Sequence, residues 1–190
     1  MPPQDRKTRA DAERNRVRVL EVARELAAEH GEELQMTDVA KAAGVGVGTI
    51  YRHFPTRRAL LEAAAEQRFR EILDYGETTC LSMTDTRRAL SCFLHHIGEV
   101  HEQGRALSGQ IEATLGDTAP RGEISGKLRD LGGRLLERGS TDGTIRADAT
   151  VADLYMIVGA LSTVARHGIG DWRRFIELAL DGLLPRQSHG

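Results

Sequence analysis

Apolar residues recur at helical spacing along almost the whole chain. In "RVRVLEVARELAAEHG" they form one stripe, and Gly31 is placed to end the helix in a left-handed cap. In the shorter segment "TDVAKAAG" they form a second stripe, which Gly44 closes in the same way. The pattern therefore predicts a first helix of ordinary length and a second one of only about two turns.

A third short helix is predicted from about Val47 to His53, and in it only Ile50 occupies a buried position. Phe54 precedes Pro55 and is therefore biased away from helical geometry, so this helix must stop there. Thr56 can cap a fourth helix, which runs through "RRALLEAAAEQRFREIL".

Five more apolar-periodic segments follow, separated by breaks at "LSMTD", "HEQG", "GDTAPRG" and "GSTDGTIRAD". They lie at about 85–101, 104–115, 120–138, 150–167 and 171–184. The aromatic share is only 4%, and Ala, Leu, Arg and Glu dominate, which favours helices packed on helices. We predict an all-α fold of about nine helices.

The stretch "GVGVGTIYRHFPTRRAL" is typical of a helix-turn-helix, in which the second of two short helices lies in the major groove of DNA. Thr49, Tyr51, Arg52 and His53 stay exposed there, and all four can donate hydrogen bonds to phosphates or base edges. Gly48 has no side chain, so it would let the backbone of this helix come close to the DNA. The same spacing also fits a helical hairpin whose glycines are only turn residues.

Charge is unevenly distributed along the chain. The net charge is −2, which by itself argues against a nucleic-acid binder, but residues 1–58 carry eleven Lys and Arg against nine Asp and Glu. The basic residues cluster at 6–18 and again after the glycines. Each cluster fits either contact with phosphate or a merely solvated face.

Other classes of protein are not favoured by the sequence. No apolar run is long enough to cross a bilayer, and "MPPQDRKTRADAERNR" lacks the apolar core of a signal peptide, so we expect a cytoplasmic protein without a membrane partner. Cys80 and Cys92 are expected to be reduced structural thiols. No nucleophile motif or phosphate loop appears, and we expect neither an enzyme nor a cofactor.

The run "MTDVAKAAGVGVGTIYRHFPTRRALLEA" resembles the amino-terminal module of the tetracycline-repressor (TetR) family of bacterial transcription regulators, over roughly residues 14–62. The resemblance implies a DNA-binding domain at 1–58 and a helical effector-binding and dimerisation domain at 59–190. Residues 1–13 are expected to form a disordered arm, which either adds phosphate or minor-groove contacts or only solubilises the chain.

The resemblance also implies roles for individual residues. Tyr51 and His53 would hold phosphates, Arg52 would read a base edge, and Arg57 would contact phosphate at the start of helix four. The recognition helix would carry Val47, Gly48, Thr49, Tyr51, Arg52 and His53.

Two positions depart from the family pattern. Val47 stands where a polar residue is common, so it removes a possible polar contact and can instead touch a thymine methyl group. Gln35 aligns with the threonine that usually opens helix two, so either Gln35 or Thr37 must supply the cap and a nearby phosphate contact. We favour Thr37.

The last two helices are apolar on more than one side, so one face can serve the core and another can pack on a second subunit. Burial within one larger core is the alternative. The predicted dimer residues are Tyr155, Val158, Leu161, Trp172, Phe175, Ile176, Ala179 and Leu183.

An effector pocket is expected among helices four to eight, where polar residues interrupt apolar stripes. His101 is the best candidate, because it falls on the same helical face as Leu94 and Ile97. The other candidates are Cys92, His95, Gln110, Thr114 and Tyr155.

Together these features predict a ligand-responsive repressor that binds a palindromic operator in double-stranded DNA as a homodimer and is released by a small-molecule effector. Two alternatives stay open. One is a helical sensor or carrier without specific DNA binding. The other is a metal-dependent α-helical enzyme built on His95, Glu99 and His101, although no stricter metal motif such as HExxH is present.

Overall fold

A computed structural model describes residues 3–30, 34–117 and 119–185 of the chain. Within these residues the backbone forms nine α-helices and one π-helical segment, with no strand, which confirms the predicted all-α fold. The helices are α1 (Pro3–His30), α2 (Met36–Ala43), α3 (Val47–His53), α4 (Arg57–Tyr75), α5 (Thr86–Gln103), α6 (Arg105–Leu115), α7 (Gly122–Thr141), α8 (Val151–His167) and α9 (Trp172–Gly182).

The first helix is longer than the hydrophobic stripe indicated. Residues 3–13, which we expected to belong to a disordered arm, continue α1. The reason is local: Pro3 is tolerated at the first helical position, and the residues after it include Gln, Arg, Lys, Ala and Glu, all good helix formers. The cap predicted at Gly31 lies outside the described residues.

The chain divides into two compact units. The first comprises residues 1–67 and 106–119, and the second comprises 68–105 and 120–190. The predicted boundary at residue 58 therefore falls inside α4, and α6 belongs to the first unit. Leu107 and Ile111 of α6 explain this assignment, since both are buried in the same apolar cluster as α1, α2 and α3.

In the first unit, the turn between α2 and α3 depends on one glycine. Gly44 has a φ of +68°, the left-handed conformation that residues with a Cβ rarely adopt. Its amide donates to the carbonyl of Lys41 at 3.2 Å, and the amide of Val45 donates to the carbonyl of Ala40 at 3.0 Å. These bonds end α2 and confirm the cap predicted at Gly44.

In the second unit, α5 packs against α7, α8 and α9. Its contact with α9 is close because Gly98 has no side chain: a Cβ there would lie 2.5 Å from Cζ3 of Trp172. Leu90, Leu94 and Ile97 of α5 are all buried in this core. The apolar stripe read from the sequence of α5 is thus the stripe that the unit buries.

A π-helical segment, Gly76–Cys80, extends α4, and it was not predicted from the sequence. Gly76 is buried there, where a Cβ would lie 3.0 Å from Cε2 of Phe93. The amide of Leu81 donates to the carbonyl of Gly76 at 3.0 Å, which is the i→i+5 bond of a π-helix.

None of the helices in the described parts of the chain combines the length and the apolar character needed to cross a membrane.

The α5–α9 contact yields a stability prediction. Gly98→Ala forces a methyl group into the Trp172 ring, so we expect it to lower the free energy of unfolding by about 1–3 kcal/mol. The matched control is Gly126→Ala on α7, where an added Cβ meets no heavy atom within 4 Å. That change should raise stability by about 0.5–1 kcal/mol, since Ala is the better helix former. Urea denaturation of both variants measures the difference, and equal midpoints would contradict the packing described here.

Candidate nucleic-acid interface

The third helix is anchored by very few side chains. Ile50 is its only buried residue, and Phe54, which follows the last residue of the helix, is buried as well. The guanidinium carbon of Arg16 on α1 lies 5.4 Å from the centre of the Phe54 ring, a cation–π distance. The sequence analysis assigned Arg16 only to the basic cluster at 6–18, because no sequence pattern indicates a contact with a residue as distant in the chain as Phe54.

The opposite side of α3 is open to solvent. Val47 is 47% exposed and Tyr51 45% exposed, and Gly48 and Arg52 are exposed as well. Val47 and Tyr51 lie one turn apart, as do Gly48 and Arg52, so all four share one face of the helix. Val47, Gly48, Tyr51 and Arg52 therefore form one exposed surface. Thr49 and His53, which were also predicted to be exposed, are half-buried.

The start of α4 is capped as the sequence predicted. The Thr56 hydroxyl accepts a hydrogen bond from the amide of Ala59 at 3.1 Å. The backbone amides of the first turn give this end of the helix a partial positive charge. Arg57 adds a positive charge beside it, and Arg58 adds another that is partly offset, because its Nε donates to Oε1 of Glu62 at 3.0 Å. This end therefore suits a phosphate.

Both arginines are held by α6. The guanidinium of Arg57 donates to Oε1 of Gln110 at 2.8 Å, and that of Arg58 donates to the carbonyl of Thr114 at 3.0 Å. Gln110 and Thr114, which were predicted to line an effector pocket, both lie in the first unit, where the Gln110 side chain and the Thr114 carbonyl bind the basic start of α4. Helical periodicity showed that they interrupt an apolar face but not which helix that face meets.

The start of α2 also differs from expectation. Gln35, not Thr37, is the residue that precedes the helix, and neither supplies a side-chain cap in the described structure. Thr37 is the second residue of α2 and is exposed, so its hydroxyl remains a candidate for a phosphate contact at this helix end.

Three predicted pocket residues of the second unit have structural partners. The Cys92 thiol lies 2.9 Å from the Tyr75 hydroxyl, and this bond with burial raises the pKa of Tyr75 to about 12. Nδ1 of His95 lies 2.8 Å from the carbonyl of Ser91 on the same helix. The Tyr155 hydroxyl donates to the carbonyl of Ser125 at 3.1 Å.

His101 is different from these three. It is only 3% exposed, and its Nδ1 has no hydrogen-bond partner among the described residues. Burial and the positive charges of Arg68 and Arg166 lower its pKa to about 3, so the ring is neutral at physiological pH.

The metal alternative finds no support in the arrangement of side chains. Among the described residues, no three His, Cys, Asp or Glu side chains come together as ligands, and His95, Glu99 and His101 are not such a group.

The predicted dimer residues divide into two groups. Leu161, Trp172, Ile176 and Leu183 are buried within the second unit itself. Tyr155, Val158, Phe175 and Ala179 are half-buried. A helix that is apolar on several sides does not reveal its inward side by periodicity alone.

The sequence analysis did not predict which apolar side chains of α8 and α9 are exposed to solvent. Met156 on α8 is 68% exposed and Leu178 on α9 is 56% exposed. Gly159 and Ala160, one turn after Met156, are exposed as well. These residues are apolar or small positions that α8 and α9 leave exposed, and we call Met156, Gly159, Ala160 and Leu178 the outer face.

Comparison with known proteins agrees with this geometry. Residues 19–64 match the family model "Bacterial regulatory proteins, tetR family", and residues 85–185 match "Transcriptional regulator SbtR-like, C-terminal domain". The HTH-type transcriptional regulator SAR0097 of Staphylococcus aureus strain MRSA252 is 41% identical over 81 residues, which are 39% of this chain. That match spans 42% of the relative, so the chain covers less than half the length of this curated protein.

Two solved structures resemble nearly the whole chain. The TetR transcription regulatory protein from Mycobacterium vanbaalenii is 34% identical, with a TM-score of 0.70 over 93% of this chain and 99% of that one. The TetR regulator SCO0520 from Streptomyces coelicolor also has a TM-score of 0.70, over 90% and 99% of the two chains; at 24% identity it shows the shared fold alone. The two family models and the extended likeness at 34% identity establish that the chain belongs to the TetR family of bacterial transcriptional regulators.

Proposed function

We propose that this chain is a transcriptional repressor that binds a palindromic operator as a homodimer and is released by a small-molecule effector. The observation that carries the proposal is the open face of α3, which is anchored on its other side by Ile50 and presents Val47, Tyr51 and Arg52 to solvent. A helix with this division between faces fits the major groove of DNA.

The side chains of this face suit different parts of the duplex. The Arg52 guanidinium can bond both acceptors of a guanine edge, while Val47 can pack on a thymine methyl group. Tyr51 and His53 can donate to phosphates on either side of the groove. Arg57, at the positive end of α4, neutralises a further phosphate irrespective of sequence.

A palindromic operator requires two copies of this face, about 34–36 Å apart. The outer face of α8 and α9 is our candidate for the contact that pairs the two subunits, because its exposed methionine and leucine would be covered by the same surface of a second copy. Its small residues Gly159 and Ala160 would let two α8 helices approach closely.

Release by an effector would follow if the effector favours a dimer in which the two reading faces no longer match the spacing of the operator. The coupling must be reciprocal, so operator DNA lowers the affinity for the effector by the same factor.

Operator binding and the roles of two arginines can be tested together. A duplex selected from random sequences should bind far more tightly than a scrambled duplex of the same length, and its affinity should fall steeply with salt. Arg52→Ala should lose about 1–3 kcal/mol of discrimination at one base position. Arg57→Ala should weaken every duplex and lower the salt slope by about 1.

Fluorescence anisotropy at two salt concentrations measures all of these quantities, with Arg70→Ala, an exposed arginine on the second half of α4, as the control. Equal affinity for selected and scrambled duplexes would favour a sensor without an operator. Uniform losses from both variants would refute the division of roles.

Gln110 should matter for DNA binding because it orients Arg57. Gln110→Ala is expected to lower the affinity for all operator variants alike, by about three- to tenfold, since it removes a hydrogen bond to a charged group. Gly109→Ala, its neighbour on α6 with open space around it, is the control. If Gln110 acts through Arg57, the double variant binds like Arg57→Ala alone; additive losses would show an independent role.

The outer face can be tested by adding charge to it. Met156→Glu or Leu178→Glu should convert the dimer into monomers, because burying an unpaired carboxylate in an apolar contact is strongly unfavourable. Light scattering after size exclusion gives the mass of the particle directly. Val47→Glu, an equally drastic change at an exposed apolar residue of the first unit, should leave the dimer intact. A dimer that survives both outer-face changes would place the interface elsewhere.

A further inference from the structure

One arginine of α1 stands where the apolar stripe of that helix would otherwise continue. Leu20, Ala23 and Ala27 are buried along one side of α1, and Arg16 lies on the same side, one turn before Leu20. Arg16 is half-buried there. Arginine rarely occupies such a position unless its charge has a partner.

The partner of Arg16 in the structure is an aromatic ring. Its guanidinium carbon lies 5.4 Å from the centre of the Phe54 ring, and Phe54 is only 1% exposed. A cation over the face of a ring is attracted by the negative charge of that face, and this contact does not use the N–H groups of the guanidinium. Phe54 therefore holds the Arg16 side chain in place and leaves its hydrogen-bond donors available.

These donors have no acceptor in the described parts of the chain. No hydrogen bond or ion pair of the Arg16 side chain occurs there, and none of its nitrogen atoms is buried without a partner, so they are open to solvent. Arg57 and Arg58 differ in this respect, because each donates to α6. Arg16 thus combines a fixed guanidinium with free donors.

Phe54 also places this guanidinium next to the end of α3. It directly follows His53, the last residue of α3, and the rings of His53 and Phe54 lie 6.3 Å apart. The last turn of α3 carries Arg52 as well. The charge of Arg16 therefore extends the basic end of the helix that we propose enters the major groove.

The surrounding part of α1 is also basic. Residues 14–18, "RNRVR", contain three arginines and no carboxylate, and Arg14 and Arg18 are exposed. The match to the amino-terminal family model begins at residue 19, so this run lies outside it. Its charge and its continuity with α3 both favour the phosphate backbone of DNA as the partner.

We propose that Arg16 binds a backbone phosphate of the operator at the edge of the groove that α3 occupies, and that Phe54 orients its guanidinium for this contact. A guanidinium can donate two parallel hydrogen bonds to a phosphate, and a side chain that is already held in place loses less conformational entropy on binding. The contact neutralises charge but reads no base, so it adds affinity for every sequence alike.

This inference rests on the proposed function, since it adds a residue of α1 to the DNA-binding surface. The two can fail separately, because phosphate contacts also supply non-specific binding. A chain that binds selected and scrambled duplexes equally, but loses affinity for both when Arg16 is replaced, would keep the contact and lose the operator. A chain that binds its operator equally well without Arg16 would do the reverse.

The experiment measures binding of the full chain to a selected and a scrambled duplex at several salt concentrations. Arg16→Met keeps an unbranched apolar side chain against Phe54 and removes the charge. We expect it to weaken binding of both duplexes about tenfold and to lower the salt slope by about 1, since one phosphate is no longer neutralised. A salt slope equal to that of the parent chain would overturn the inference.

A purely structural role of Arg16 would give a different result. If the arginine only supported Phe54 and α3, Arg16→Met would lower the melting temperature and reduce the discrimination between the two duplexes, with the salt slope unchanged. We expect the melting temperature and the discrimination to stay as in the parent chain. Arg16→Lys should restore the salt slope but only part of the affinity, because an ammonium group lacks the two-pronged geometry of a guanidinium.

Arg18→Met is the matched control. It removes the same charge from the same helix, two residues further on and about 200° around the axis, where the side chain is exposed. It should change the affinity for either duplex by less than about twofold, because a screened charge that touches no phosphate adds little. Equal losses from Arg16→Met and Arg18→Met would indicate a general effect of charge and refute a fixed contact at Arg16.

Discussion

A helix of seven residues does not hold its conformation alone in water, so everything that α3 presents depends on how it is anchored. The anchor consists of Ile50 in the core, Phe54 immediately after the helix, and the left-handed turn at Gly44 before it. Turning α3 by one residue, about 100°, would withdraw Ile50 from the core and bury part of the outward face instead. The burial of a single isoleucine therefore decides which side chains face solvent.

Local signals made this part of the molecule predictable. Gly44, Pro55 and Thr56 each act within a few residues of their own position, so the sequence alone predicted the turn, the end of α3 and the cap of α4. The remaining helices were predicted for the same reason, because periodicity and helix breaks are also local. The length of α1 was underestimated since its first residues lack an apolar stripe, although their helix propensity is high.

Features that depend on distant residues could not be predicted in this way. Gln110 looks like a polar interruption of an apolar helix, and only the fold shows that Arg57, 53 residues earlier, is its partner. Leu161 and Ile176 were predicted at an interface because α8 and α9 are apolar on more than one side, and both are fully buried within one chain. His101 was correctly placed on a buried face, but its basic neighbours come from two other helices.

Helix α4 contributes residues to the apolar cores of both units. It provides Leu60 and Leu61 to the core of the first unit and Phe69 and Ile72 to that of the second. The boundary between the two units therefore falls within one continuous helix and not within a loop. Apolar periodicity shows that both ends of this helix have a buried side, but it does not show that the two ends are buried in different cores.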